Sequence, residues 1–186
     1  MSWSYSPLAD LNLLKEFEDK VGFEKYAEGF GLLLDFGDDT GLRAGWSADP
    51  GFLARLTPFA QANGSGSFYA LWQPEEGSDL ATAPVVVFGD EGGAHVVARE
   101  LRELLQLLTL DIEITVEWEE AFFWQEEDGA EDGREHSVGH HRYLIWLHEV
   151  LGVAPVTDSS LLAGAQDEIG ADFAEWLAEY LGDDLA

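Results

Sequence analysis

The stretch that decides the fold is PVVVFGDEGGAHVVARELRELLQLL, residues 84–108. Its apolar run at 84–89 indicates a buried β-strand, because valine and phenylalanine favour strands. The glycine-containing DEGG at 90–93 predicts a tight turn, and AHVVA at 94–98 then supplies a partner strand. A helix is predicted next, since leucines recur at helical spacing at positions 101, 104, 105 and 108. So short a turn between two strands favours antiparallel pairing.

Upstream of this stretch, the pattern predicts a helix and a hairpin. Apolar residues at helical spacing predict a helix over 8–21. The apolar runs FGLLLDF (30–36) and LRAGW (42–46) bracket the turn-rich GDDTG (37–41). Two apolar runs around a Gly- and Asp-rich turn predict a β-hairpin.

A second upstream helix is predicted to start at Asp49 and Pro50, which suit an N-cap and a first helical position. It is expected to end at Asn63 and Gly64, followed by a strand at SFYALW (67–72). Its buried stripe would consist of Phe52, Leu53, Leu56 and Phe59.

Downstream, polar and apolar residues alternate over 112–119, which predicts a half-buried strand with an acidic outer side. AFFWQ (121–125) is expected to extend or pair with that strand, and an acidic, glycine-punctuated loop follows near 126–137. Helices are predicted near 140–151 and 167–181. The whole chain, 1–186, is therefore predicted to be a single α+β domain with a mainly antiparallel central sheet flanked by helices, and a helical C-terminal part.

The charge is the most extreme property of the composition. Thirty-seven acidic residues face nine basic ones, for a net charge of −28 at pH 7. Such a surface repels phosphate backbones and anionic lipids, so direct binding to nucleic acid or to a membrane is not expected. Two explanations remain open from charge alone: solubility, or attraction to a basic protein partner.

The composition also bears on the compartment. The chain has no cysteine, which excludes disulfides, thiolate catalysis and cysteine-ligated metal sites. The first residues lack a basic segment followed by a long apolar one, and no apolar run is long enough to span a bilayer. A cytoplasmic location is the expectation.

Sequence motifs for catalysis are weak throughout the chain. DFG at 35–37 lacks the accompanying lysine and HRD motifs of a kinase, and NGSGS at 63–67 matches neither a P-loop nor GxGxxG. No GxSxG elbow occurs, and the acidic loop lacks EF-hand spacing. The chain is therefore predicted not to be an enzyme and to carry no cofactor.

Three histidines lie close together in the sequence: His136, His140 and His141. His136 and His140 are four residues apart and would share one side of a helix. HExxH is absent, and Gly139 separates the loop from the following helix. Surface histidines before a helix are the preferred interpretation and no metal is predicted, with a metal-dependent hydrolase as the lesser alternative.

Two segments resemble the SUKH superfamily, which includes the yeast cell-wall assembly regulator and many bacterial immunity proteins. FLARLTPFAQANGSGSFYALW (52–72) is similar to the family's helix that stops at Asn-Gly before an aromatic strand. Residues 84–108 are similar to its strand, Gly-Gly turn, strand and leucine-rich helix. The resemblance covers roughly residues 45–110, and its motifs are turn glycines and core positions, so it indicates fold better than function.

The resemblance implies an immunity protein that neutralises a cognate bacterial toxin, possibly a basic nuclease. An acidic nucleic-acid mimic or a regulatory adaptor binding a basic host protein is the alternative. Candidate partner-binding residues are the turn acids, two strand-end aromatics and the acids of the alternating strand: Asp90, Glu91, Tyr69, Trp72, Glu113, Glu117 and Glu119. For Trp72, core packing is the alternative interpretation.

Overall fold

The computed structural model describes residues 4–124 and 134–182, which form an α+β fold around a five-stranded antiparallel sheet. The strands lie in chain order as a meander, and each pairs antiparallel with the next, which confirms the predicted antiparallel sheet. They are β1 Gly31–Leu32, β2 Leu56–Gln61, β3 Phe68–Trp72, β4 Val85–Phe88 and β5 Ala94–Ala98, and a separate hairpin consists of β6 Ile114–Val116 and β7 Ala121–Phe123. The helices are α1 Ala9–Val21, α2 Thr40–Gly45, α3 Pro50–Leu53, α4 Leu101–Leu107, α5 His140–Leu151 and α6 Ser160–Leu181, with single 3-10 turns at Leu80–Thr82 and Leu108–Leu110.

Helices cover both sides of the sheet. Along β4, Val85 and Val87 join one buried cluster, whereas Val86 and Phe88 join the other. The first cluster contains side chains from α1, α4 and α5, and the second contains side chains from α2, α3 and α6. This double covering explains why 84–89 is a continuous apolar run, because both sides of the strand are buried.

The predicted hairpin around GDDTG is wrong. Only Gly31–Leu32 of the first run is a strand, and LRAGW begins within α2. The Asp38 carboxylate accepts hydrogen bonds from the backbone N–H and the hydroxyl of Thr40, at 3.0 and 2.5 Å. These bonds stabilise the start of helix α2. The carboxylate of Asp39 then forms an ion pair with Arg43, one helical turn later.

The predicted helix from Asp49 to Asn63 is also wrong beyond its first turn. Asp49 does cap α3, since its side chain accepts from the backbone N–H groups of Gly51 and Phe52. The chain then enters β2, because Pro58 would remove a helical hydrogen bond and clash with the preceding turn. In β2, Pro58 lies at a register shift, where a missing N–H is tolerated.

The later predictions are refined in their bounds. The alternating strand is confirmed only over Ile114–Val116, and the first three residues of AFFWQ pair with it as β7. Helix α5 matches its predicted range, whereas α6 begins at Ser160, earlier than expected. Residues 126–133 of the predicted acidic loop lie outside the described residues.

The apolar stripe of α6 packs on the sheet as predicted. Phe173, Trp176 and Leu177 are buried in the second cluster, and the Trp176 ring stacks on Phe52 of α3 at a centroid distance of 5.5 Å. Within 4–124 and 134–182, none of the helices has the length and hydropathy that crossing a bilayer needs.

Candidate functional site

Three turns meet at one end of the structure and bring most of the predicted binding residues together. In a meander, the β2–β3 and β4–β5 turns emerge at the same end of the sheet, and they span 63–67 and 89–93. The tip of the β6–β7 hairpin, which is closed by a 2.8 Å bond from Glu117 N to Glu120 O, packs beside them. The acidic side chains carried by these turns are therefore neighbours.

Asn63 organises the first of these turns. Its buried side-chain oxygen accepts hydrogen bonds from the backbone N–H groups of Ser65, Gly66 and Ser67, at 3.0 to 3.2 Å. Its side-chain nitrogen donates to the Ser67 hydroxyl. The glycine-rich NGSGS segment is thus a side-chain-organised hairpin turn, not the helix C-cap that the sequence predicted.

Two predicted site residues hold this turn from outside. The Asp90 carboxylate accepts from the hydroxyls of Ser67 and Ser65, at 2.7 and 2.9 Å, and the Glu113 carboxylate accepts from Gly64 N at 3.0 Å. The bond from Ser67 is the main cause of a lowered pKa for Asp90. Asp90 therefore keeps its negative charge to a lower pH than an ordinary aspartate.

Glycine allows the hairpin tip to approach the β4–β5 turn closely. Gly92 and Gly93 have φ values of 113° and 79°, in the region that favours glycine. A Cβ at Gly92 would overlap the ring of Trp118, and one at Gly93 would overlap the carbonyl oxygen of Glu117. Trp118 therefore lies flat over the turn, and 55% of its surface stays exposed.

We call the surface formed by these turns the acidic face, which comprises Trp118 and five exposed acidic residues: Asp90, Glu91, Glu113, Glu117 and Glu119. Six of the nine basic residues are paired with acids elsewhere: Lys15 with Asp19, Lys25 with Glu28, Arg43 with Asp39, Arg99 with Glu103 and Glu168, Arg102 with Asp10, and Arg142 with Glu24. Among the described residues, no lysine or arginine forms an ion pair with a member of the acidic face. Its negative potential is therefore uncompensated by internal ion pairs.

The two aromatic residues predicted at the interface are in the core. Tyr69 is 1% exposed and Trp72 is 2% exposed, on opposite sides of β3, so neither is available to a partner. Trp72 packs against Phe173 and Trp176 of α6, at centroid distances of 5.1 and 5.6 Å. Burial also raises the pKa of Tyr69, which stays neutral.

Trp118 is the exposed aromatic that the sequence analysis missed. Strict alternation predicted that it would point inward with Ile114 and Val116. However, β6 ends at Val116, and the chain bends at Trp118 and Glu119. The turn glycines two strands earlier were the available signal, because Gly92 and Gly93 leave room for a large ring.

The predicted histidine cluster is divided by the structure. His136 and His140 stack with their ring centroids 4.9 Å apart, whereas His141 is exposed on α5. The stacked pair lies beside Asp111, a buried aspartate in the left-handed region with φ 53°. Sequence reasoning missed Asp111 because it is 25 residues from His136 and belongs to no motif.

Asp111 ties three segments of the chain together. Its carboxylate accepts hydrogen bonds from Glu28 N at 2.8 Å, and from the backbone N–H and hydroxyl of Ser137, both at 2.7 Å. Burial raises the pKa of Asp111, but these bonds and the neighbouring His140 outweigh that effect and leave it lowered. The carboxylate is therefore an anion inside the protein.

Comparison with protein-family models, with curated proteins and with solved structures finds no match for this chain.

Proposed function

We propose that this protein is a non-enzymatic binding domain that recognises a basic protein through the acidic face. The observation that carries the proposal is the convergence of three turns, which places a half-exposed tryptophan at the same end of the structure as five exposed acidic residues. An exposed aromatic ring within a charged rim is the usual composition of an interaction hot spot. A lysine or arginine of the partner could stack on the Trp118 ring while its charge meets the surrounding carboxylates.

The charge distribution supports a basic partner in particular. The internal ion pairs of the described residues involve no member of the acidic face, so its field acts on solvent and on approaching molecules. Such a field accelerates association with a basic surface and slows it with an acidic one. Recruitment of an uncharged partner would not need this arrangement.

The SUKH resemblance suggests a more specific role, in which the partner is a bacterial toxin, possibly a basic nuclease. A nuclease presents a basic cleft to its phosphate substrate, and an acidic protein can occupy that cleft. The alternative is an acidic nucleic-acid mimic or adaptor that binds a basic host protein. A toxin gene beside this one, and stoichiometric inhibition of that toxin by this protein, would favour the immunity role over the alternative.

Two charge-reversal variants test the acidic face. The protein is used at low salt to retain its partner from lysate of its source, and the dissociation constant for the identified partner is then measured. The double variant Glu117→Lys/Glu119→Lys should weaken binding by at least about tenfold, since a rim of close charges contributes that much at an interface. The matched control is Glu175→Lys/Glu179→Lys, which makes the same change of charge at exposed positions of α6.

The control should bind within about twofold of the natural protein at physiological salt, because screening removes the effect of distant charges. Equal weakening by both variants would mean that total charge, and not the acidic face, drives association. Unchanged binding by the first variant would overturn the assignment of this surface.

A further inference from the structure

The second site of interest lies where the end of α4, the segment 134–137 and the start of α5 meet. Here the Asp111 side chain is 1% exposed, and one of its oxygens, Oδ2, faces both stacked histidines. The Nδ1 atoms of His136 and His140 lie 3.2 and 3.9 Å from this oxygen. One carboxylate oxygen and two imidazole nitrogens thus lie close together. The planes of the two rings are 14° apart, and His140 Nδ1 also lies 3.3 Å from the carbonyl oxygen of Tyr26.

These separations suit a small metal ion. Zinc bonds of about 2.0 to 2.1 Å in tetrahedral geometry place neighbouring ligand atoms about 3.3 Å apart. The His136 nitrogen is already at that distance from Asp111, whereas the His140 nitrogen would need to approach by about 0.6 Å. Because the two rings are stacked with 14° between their planes, one ring would also have to rotate so that both nitrogen lone pairs point at the ion. The ligand atoms that the three residues offer all lie within 4.8 Å of one another.

We propose that Asp111, His136 and His140 bind a divalent transition-metal ion, with Zn²⁺ as the best fit. To bind the ion through Nδ1, each neutral imidazole would carry its single proton on Nε2, and His140 would give up the contact of its Nδ1 with the carbonyl oxygen of Tyr26, now at 3.3 Å. Two imidazoles and one carboxylate select Zn²⁺, Co²⁺ or Ni²⁺ over Mg²⁺ and Ca²⁺, which prefer oxygen ligands.

The surroundings already hold the carboxylate in position. Glu28 N and the Ser137 hydroxyl occupy the other oxygen of Asp111, Oδ1, while Ser137 N supports Oδ2. Hydrogen bonds of this kind orient ligands and strengthen metal binding.

A fourth position would face solvent. His136 is 57% exposed, and it lines an open groove with Lys25, Glu28 and Val138. Water from this groove could complete a tetrahedron around the ion. Since the three ligands come from separate segments, a bound ion would fasten α5 to the end of α4.

Cobalt titration tests the site, with excess Mg²⁺ present to occupy the many surface carboxylates. The natural chain should bind one Co²⁺ and develop the visible absorption of a tetrahedral cobalt centre, and Zn²⁺ should displace it. His136→Ala should weaken binding at least about tenfold, which is the lower range of loss when supporting groups alone are removed. This variant should fold, because His136 is largely exposed.

The control is His141→Ala, which removes an exposed histidine next to the proposed ligand His140. His141→Ala should bind one Co²⁺ with the same affinity and the same visible spectrum as the natural chain. Zn²⁺ should also raise the melting temperature of the natural chain and of His141→Ala, but not of His136→Ala, because a ligand that binds only the folded state stabilises it. Absence of a one-equivalent cobalt spectrum in the natural chain, or equal affinity of His136→Ala, would overturn the proposal.

Discussion

At the scale of single residues, tryptophans in similar sequence settings have opposite surroundings. Trp72 ends a strand and lies between the sheet and α6, whereas Trp118 follows a strand and lies on the surface over Gly92. The difference comes from what the next layer provides. Helix α6 covers the end of β3, while glycines in the β4–β5 turn leave the Trp118 ring half in solvent.

Alanine substitution should separate these two tryptophans by stability. Trp72→Ala should lower the free energy of unfolding by about 3 to 5 kcal/mol, as for other large core aromatics, because it leaves a cavity beside Phe173. Trp118→Ala should cost about 1 kcal/mol or less, since much of the ring is already exposed. Urea unfolding of the two variants measures both values. Equal losses would contradict the assignment of Trp118 to the surface.

At the scale of elements, the approach of one hairpin to one turn forms the acidic face. The β6–β7 hairpin is fastened to β5 by a 2.8 Å hydrogen bond between His95 Nε2 and Glu117 O, and to the β4–β5 turn by the close fit at Gly93. It is fastened to the β2–β3 turn by the bond from Gly64 N to Glu113. The position of these acids therefore depends on turn geometry more than on the strands that carry them.

A pair of glycine substitutions tests this dependence. Gly93→Ala should destabilise the protein by about 2 kcal/mol or more, because it combines a strained positive φ with overlap on the Glu117 carbonyl. Gly170→Ala, in the middle of α6, has its nearest neighbour at an ordinary contact of 3.9 Å and should stabilise by up to about 1 kcal/mol. Thermal and urea unfolding check both signs. A Gly93→Ala variant as stable as the natural protein would mean that the hairpin is not closely fastened to the turn.

At the scale of the whole molecule, self-repulsion opposes folding. The net charge is −28 on 186 residues, so folding brings many like charges close together. Six basic residues offset acids locally, but these pairs are exposed or partly exposed and contribute little individually. The packed cores on both sides of the sheet must outweigh the remaining repulsion.

Salt should therefore stabilise the protein. Raising NaCl from about 0.01 M to 0.15 M shortens the screening length from about 30 to 8 Å, which weakens repulsion between distant carboxylates. We expect the melting temperature to rise by about 3 °C or more, which corresponds to roughly 1 kcal/mol for a chain of this size. Calorimetry at matched pH measures the shift, and sucrose at equal osmolality serves as the uncharged control. A fall in melting temperature with salt would show that the internal ion pairs outweigh the repulsion.

Sequence patterns determined the elements whose signals are local. The run at 84–108 determined two strands, their turn and the following helix, because apolar periodicity and turn glycines act over a few residues. The same local logic determined α1, α5 and the buried stripe of α6, and it identified the acids of the acidic face by their position in turns and on an alternating strand.

Only the tertiary structure decided what depends on contacts between distant segments. Leu56 and Phe59 fit a helical stripe as well as a strand, and pairing with β3 decided between them. The covering of β3 by α6 decided that Trp72 is core, and the room above Gly92 decided that Trp118 is not. Asp111 meets His136 and His140 across more than twenty residues of chain. Periodicity says which side chains share one side of an element, but burial and ligand geometry depend on which other element packs there.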